Sequence, residues 1–249
     1  MRIVLAIGEP VIAPRGAPRA VWEPLSSSAD AARILAPLIR EHEVVITHGT
    51  GSERSVGTRL ATALRREVLG LVTASLKPCS LVDVVALVEA GLMVVAPTGS
   101  DLAAAALAMA VEADALMLLT EADAVYRDFG TPNARPLRRL TTVQAKALLV
   151  DGTVSPPSMT PKLEAALRFA STGGFAVIAA LDDLHAALHR AAGTRVVLAE
   201  GSVPARSGAP FPAGVVRGEE LLVRGITAGR ADAGSNSPMS RRKAGTRRE

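Results

Sequence analysis

Residues 92–119 read LMVVAPTGSDLAAAALAMAVEADALMLL, and three patterns succeed one another within them. Residues 92–96 are a short aliphatic run of strand length, 97–100 are a turn, and 101–111 are an alanine- and leucine-rich run of helical length. Residues 115–119 then return to a buried-strand pattern. A strand, a crossover helix and a second strand form the repeating unit of a parallel sheet. The same alternation continues outward in both directions. It predicts strands at 2–7, 43–47, 176–178 and 195–198, and helices at 28–40, 52–66 and 160–170. In the first helix Ala31, Ile34, Leu35 and Leu38 share the inward face, and Pro37 marks a bend or an early break. Several strands end in Gly-, Ser- or Thr-containing turns that open directly onto a helix. In an α/β sheet that edge is where ligands bind.

Composition agrees with a globular α/β chain. Of 249 residues, 49% are hydrophobic and 2% aromatic, so the core must be built from the 45 alanines together with Val, Leu and Ile. The formal charge of +4 invites a nucleic-acid reading, but its location argues otherwise. Residues 1–203 carry 19 basic and 20 acidic side chains, whereas residues 204–249 carry 9 and 4. The positive excess belongs to a Gly-, Pro-, Ser- and Arg-rich extension at 199–249, and the chain is expected to comprise one folded domain at 1–198 followed by that flexible tail. The tail lacks the aromatic residues that stack on single strands, so nucleic acid is not the expected partner. Cys79 is the single cysteine, which excludes an intramolecular disulfide and a cysteine-based zinc cage. The longest apolar stretch is broken by Glu112 and Asp114 and fails as a membrane span, so a cytoplasmic protein is expected.

Four segments carry polar chemistry. His48-Gly49-Thr50-Gly51-Ser52 follows a strand and precedes a helix, which suits either a phosphate cradle or a plain tight turn. Gly8 ends the first strand, but Pro10 has no N–H to offer an anion and Glu9 would repel one. The turn Thr120-Glu121-Ala122-Asp123-Ala124-Val125-Tyr126 suits either ribose hydroxyls or a solvated loop with an Asx turn. Lys162 falls in the first turn of a helix, where the helix dipole disfavours a cation and calls for an acidic partner. His42, His48, His185 and His189 make no ligand set; the i, i+4 pair His185 and His189 reads as part of a surface helix.

Together these segments resemble the carbamate kinases of the amino acid kinase family. The strand into Gly8 and the His48-Gly49-Thr50-Gly51 loop are similar to the family's first two strand ends. More specific are the segment from Ala113 through Thr120-Glu121-Ala122-Asp123-Ala124-Val125-Tyr126 to Gly130-Thr131-Pro132, the helix start Ser158-Met159-Thr160-Pro161-Lys162, and the closing Gly193-Thr194-Arg195-Val196. The resemblance implies a three-layer αβα sandwich around a mainly parallel sheet. It further implies ATP or ADP with Mg²⁺, reversible phosphoryl transfer between ATP and carbamate to give carbamoyl phosphate, a role in arginine metabolism and a homodimer. Carried over residue by residue, it places Thr120, Asp123, Tyr126, Met159 and Lys162 on the nucleotide side. Lys162 neutralises the transferring phosphoryl group, Gly8, Gly49 and Gly51 let backbone donors approach it, and Asp101 stands beside them; no protein metal ligand is assigned.

The chain departs from the pattern at three places. Gly8-Glu9-Pro10 stands where the family has Gly-Gly-Asn, Thr50 replaces an asparagine, and Ser100 occupies the position of a second lysine. Between about residues 66 and 92 there is little room for the family's lid subdomain. Phosphoryl transfer depends mainly on positioning and charge stabilisation. Weak or altered catalysis is therefore expected, with a non-catalytic nucleotide-binding or regulatory protein as the alternative, and the tail as a nucleic-acid or acidic-partner tether on an inert domain as a third, less favoured reading.

Overall fold

Strands covered on both faces carry unbroken apolar runs, because every side chain finds a core. The central run Arg2–Ile7 is of this kind, and the rest of the sheet is assembled around it. The computed structural model describes residues 1–8, 11, 24–49, 55–68, 73–75, 81–152, 154 and 157–204. In chain order its strands are β1 (Arg2–Ile7), β2 (Glu43–His48), β3 (Thr73–Ser75), β4 (Met93–Pro97), β5 (Ala115–Thr120), β6 (Tyr126–Arg127), β7 (Arg135–Pro136), β8 (Arg139–Thr141), β9 (Phe175–Ala180) and β10 (Thr194–Val197). The helices are α1 (Pro24–Glu41), α2 (Ser55–Glu67), α3 (Leu81–Glu89), α4 (Asp101–Ala110), α5 (Thr142–Val150), α6 (Met159–Ala170) and α7 (Leu184–Leu188).

Eight strands form one sheet in the order β3-β4-β2-β1-β5-β9-β10-β8, parallel except where β10 runs against β9, while β6 and β7 make a separate ribbon. Side chains divide by parity. Ile3, Leu5 and Ile7 of β1 join Leu35 and Leu38 of α1, Leu60 and Leu64 of α2 and Leu184 of α7 on one face. Val4 and Ala6 join Val84 of α3, Leu107 of α4, Ala145 of α5, and Leu163 and Phe169 of α6 on the other. Two helical layers thus enclose the sheet, which is the αβα sandwich and mainly parallel sheet expected.

The strand at 92–96 shifts by one residue to Met93–Pro97, and the strand at 176–178 extends at both ends. Pro37 does not end α1, which continues to Glu41. Its ring lies on the exposed face, where the missing N–H costs the buried stripe nothing. His185 is more than a surface residue: its Nε2 meets the Ile34 carbonyl at 2.9 Å and ties α7 to α1. Cys79, the patch at 220–224 and the extension from residue 205 lie outside the described residues.

The two rims of the sheet differ. At the amino ends of the strands, the Arg2 backbone N–H donates to the Asp114 carboxylate at 2.8 Å, and its guanidinium pairs with Glu43 at 3.0 Å and bonds the Val111 carbonyl. At the carboxyl ends, β1, β2, β4, β5 and β9 all open onto loops at one rim. The chain leaves β1 for β2 on one side and later crosses to β5 on the other. This reversal creates the crevice in which α/β sheets bind ligands.

Candidate functional site

Two cavities occupy that rim. The first, of about 130 Å³, is lined by Gly8 after β1, His48 and Gly49 at the end of β2, Thr98, Gly99 and Ser100 after β4, and Asp101 and Lys162. The loop after β4 is drawn against β2, since the Thr98 N–H donates to the His48 carbonyl at 3.1 Å. Gly99 then takes φ +81°, a left-handed turn that a Cβ would strain. Ser100 follows in extended backbone and caps α4, its hydroxyl accepting from the Ala103 N–H at 3.1 Å.

Asp101 opens α4, where the helix dipole favours a carboxylate, whereas Lys162 lies in the first turn of α6, where it disfavours a cation. The two side chains meet. Lys162 Nζ lies 3.0 and 3.1 Å from the two Asp101 oxygens, and the side chains are 14% and 19% exposed. The acidic partner that Lys162 requires is therefore another residue assigned to the same site. His48 borders the cavity in a fixed orientation. Its Nδ1 lies 2.8 Å from the Gly49 carbonyl, and since that oxygen only accepts, Nδ1 carries the proton. A Cβ at Gly57 of α2 would lie 2.3 Å from His48 Nε2, so any larger residue there requires the His48 ring to move.

The second cavity, of about 640 Å³, is lined by Thr120, Glu121, Ala122, Asp123, Tyr126 and Phe129 from the turn after β5 and the ribbon, Ser158 and Met159 at the start of α6, and Ala180, Asp182 and Asp183 after β9. Tyr126 donates its hydroxyl to Asp123 at 2.8 Å. That bond, then partial burial and the Asp123 charge, raise the phenol above its ordinary 10.0. Arg138 stands 3.8 Å from the other Asp123 oxygen. Phe129 meets Tyr126 edge to face with ring centres 5.9 Å apart, while remaining 43% exposed. Partly exposed aromatic rings beside convergent polar groups offer a surface on which a planar base can stack.

Thr120, Asp123, Tyr126 and Met159 thus gather at one cavity and Gly8, Gly49, Asp101 and Lys162 at the other, while Gly51 lies outside the described residues. Residues 83–179 match the model of the amino acid kinase family. A carbamate kinase of Halobacterium salinarum is 43% identical over 108 residues, covering 43% of this chain and 35% of that protein. One of Clostridium perfringens is 31% identical over 151 residues, covering 51% and 48%. The matches therefore span about a third to a half of those relatives. A structure of carbamate kinase from Giardia lamblia bound to AMP-PNP superposes with a TM-score of 0.70 at 17% identity, over 80% of this chain and 98% of that one. This chain is therefore similar to carbamate kinases over part of its length and shares their fold.

Among the residues that line the larger cavity, the sequence reading missed Phe129, Asp182 and Asp183. Phe129 follows the short ribbon strand β6, and the Asp pair follows β9, which the apolar pattern ended early. No group of three His, Cys, Asp or Glu side chains among the described residues is placed to hold a metal, and Asp101 is engaged by Lys162. No helix among the described residues is long and apolar enough to cross a membrane.

Proposed function

We propose that this chain is a carbamate kinase-like phosphotransferase that holds an adenine nucleotide in the larger cavity and moves a phosphoryl group between that nucleotide and carbamate at Lys162. The observation that supports it most is the Lys162–Asp101 pair in the smaller cavity, one helical turn from Met159 in the larger. An ammonium held there by a carboxylate is oriented before the ligand arrives, and charge placed in advance is what stabilises a transferring phosphoryl group. Backbone N–H groups near Gly8 and Gly49 would share that charge. Any Mg²⁺ would enter with the nucleotide phosphates, and none of these steps depends on a protein-held ion.

A second reading rests on Ser100. Where the resemblance implies a lysine, the side chain caps α4 instead, so among the described residues the cavity has one lysine and no arginine, and that lysine is already paired. This favours a protein that binds nucleotide without turnover. One coupled assay separates the readings: purified chain with ADP, Mg²⁺ and carbamoyl phosphate, scored for ATP beside Lys162→Ala. Turnover that falls about a hundredfold or more in the variant supports transfer at Lys162. Stabilisation by ADP without turnover supports the second reading.

The cytoplasm and a homodimer are part of the proposal, supported by the resemblance alone. The same holds for the division into a kinase-like body at 1–198 that lacks a lid and a tail at 199–249.

A further inference from the structure

The turn that lines the larger cavity is fastened at Val125, which lies between Asp123 and Tyr126 and is buried. Its N–H donates to the Thr194 hydroxyl oxygen at 2.7 Å, across 69 positions of sequence, and its carbonyl accepts from the Leu137 N–H at 2.8 Å. Thr194 opens β10, is itself fully buried and stands opposite Ile178 of β9. Gly193 delivers it there. That glycine takes φ +73°, and a Cβ on it would lie 2.9 Å from the Ile178 carbonyl oxygen and 3.0 Å from the Ala179 Cβ. A hydroxyl held this tightly in one element and bonded to another sets where the second element lies.

We infer that Thr194 is a positioning residue for the larger cavity: its hydroxyl oxygen fixes the turn after β5 so that Asp123 and Tyr126 stand where a nucleotide can meet them. The inference rests on the nucleotide reading above and deepens it, since Thr194 is not among the residues that line the cavity. The 2.8 Å bond from Tyr126 to Asp123 spans Val125, so the backbone there sets the distance between phenol and carboxylate. Without its acceptor the Val125 N–H is left buried and unpaired, a larger loss than the bond itself is worth. The turn relieves that loss by moving Val125 toward water, which carries Asp123 and Tyr126 away from their places and disturbs the edge-to-face contact with Phe129. The bond from Leu137 holds the turn to the ribbon side alone and does not replace the tie to β10. Thr142 provides a contrast: it is buried too and accepts the Ala199 N–H at 3.2 Å, yet it lines neither cavity.

Tyrosinate absorbance and ADP titration of the full chain test this together, because Tyr126 is the single tyrosine and reports the turn with or without a ligand. Asp123 and Arg138 are the charged groups that act on its phenol. Thr194→Val keeps the shape and removes the acceptor. In it the Tyr126 midpoint is expected to move down toward 10.0 and ADP to bind about tenfold or more weakly. Thr194→Ser keeps the acceptor, and both readouts are expected to stay near those of the unaltered chain. Thr142→Val loses a comparable buried bond away from the cavities and is expected to move neither, which separates positioning from a general loss of stability. If Thr194→Val does not fold, Thr194→Cys is compared with Thr194→Ser, since the two have similar shape and sulfur is the weaker acceptor; the same two shifts are expected in smaller measure. An unmoved midpoint in Thr194→Val, or in Thr194→Cys against Thr194→Ser, or equal shifts in Thr142→Val, overturns the inference. A moved midpoint with unchanged ADP affinity overturns its extension from the turn to the ligand. Failure of ADP to bind the unaltered chain, with the midpoint still moved by valine and kept by serine, overturns instead the nucleotide reading on which the inference rests.

Discussion

At the scale of single residues, the Lys162–Asp101 pair makes a prediction with two parts. Removing the lysine leaves a largely buried carboxylate unpaired, which is strongly destabilising, whereas removing both partners is far milder. Lys162→Ala is expected to lower the melting temperature, and Lys162→Ala/Asp101→Ala to recover much of it without recovering ATP formation. A double variant that regains turnover would make the pair purely structural. Tyr126 offers a second test. Its phenol is raised above 10.0 chiefly by the bond to Asp123, so the stability this gives is full below about pH 10 and is lost as pH climbs through the folded value. It is the single tyrosine of the chain, so tyrosinate absorbance titrates it alone. Asp123→Ala is expected to move the midpoint down toward 10.0, and an unmoved midpoint would contradict the geometry. Gly57→Ala brings a methyl against His48 and should destabilise by about 1–3 kcal/mol, as other overpacked sites do.

At the scale of elements, the parts legible in the sequence are those with a long, strong period. β1, β2, β4, β5, α1, α4 and α6 were predicted within a few residues, because burial on both faces or along one stripe writes itself into consecutive side chains. β3, β6, β7 and β8 have two or three residues each, too few for any period to show. Helices α5 and α7 escaped for a related reason. α5 has Val143 and Val150 on its exposed side, which blurs the contrast between faces, and α7 is barely one turn. Membership of the candidate site followed the same division: residues beside long elements were named, whereas Phe129, Asp182 and Asp183 hang from the ends of elements that the pattern did not delimit. Within α1, Pro37 is exposed and withholds one backbone donor. Pro37→Ala is expected to raise stability by about 1–3 kcal/mol, read from chemical denaturation. No change would mean that proline's restriction of the unfolded chain fully offsets the lost bond.

At the scale of the whole molecule, the basic charge is unevenly divided along the sequence. The basic excess lies in residues 204–249 of the sequence, so a chain ending at residue 204 should elute from a polyanion column at clearly lower salt than the full chain, and equal elution would place the attraction on the folded body. The folded body has a comparable division in its two rims. Arg2, Glu43 and Asp114 fasten the amino ends of β1, β2 and β5, whereas both cavities open at the carboxyl ends of those strands. A strand of six residues separates the rims by roughly 20 Å, beyond the range over which substitutions usually couple. The fastening rim is therefore a place where an engineer can trade stability up or down while ligand recognition is altered independently at the other, and lineages of this chain could drift in thermal tolerance without drifting in what they bind.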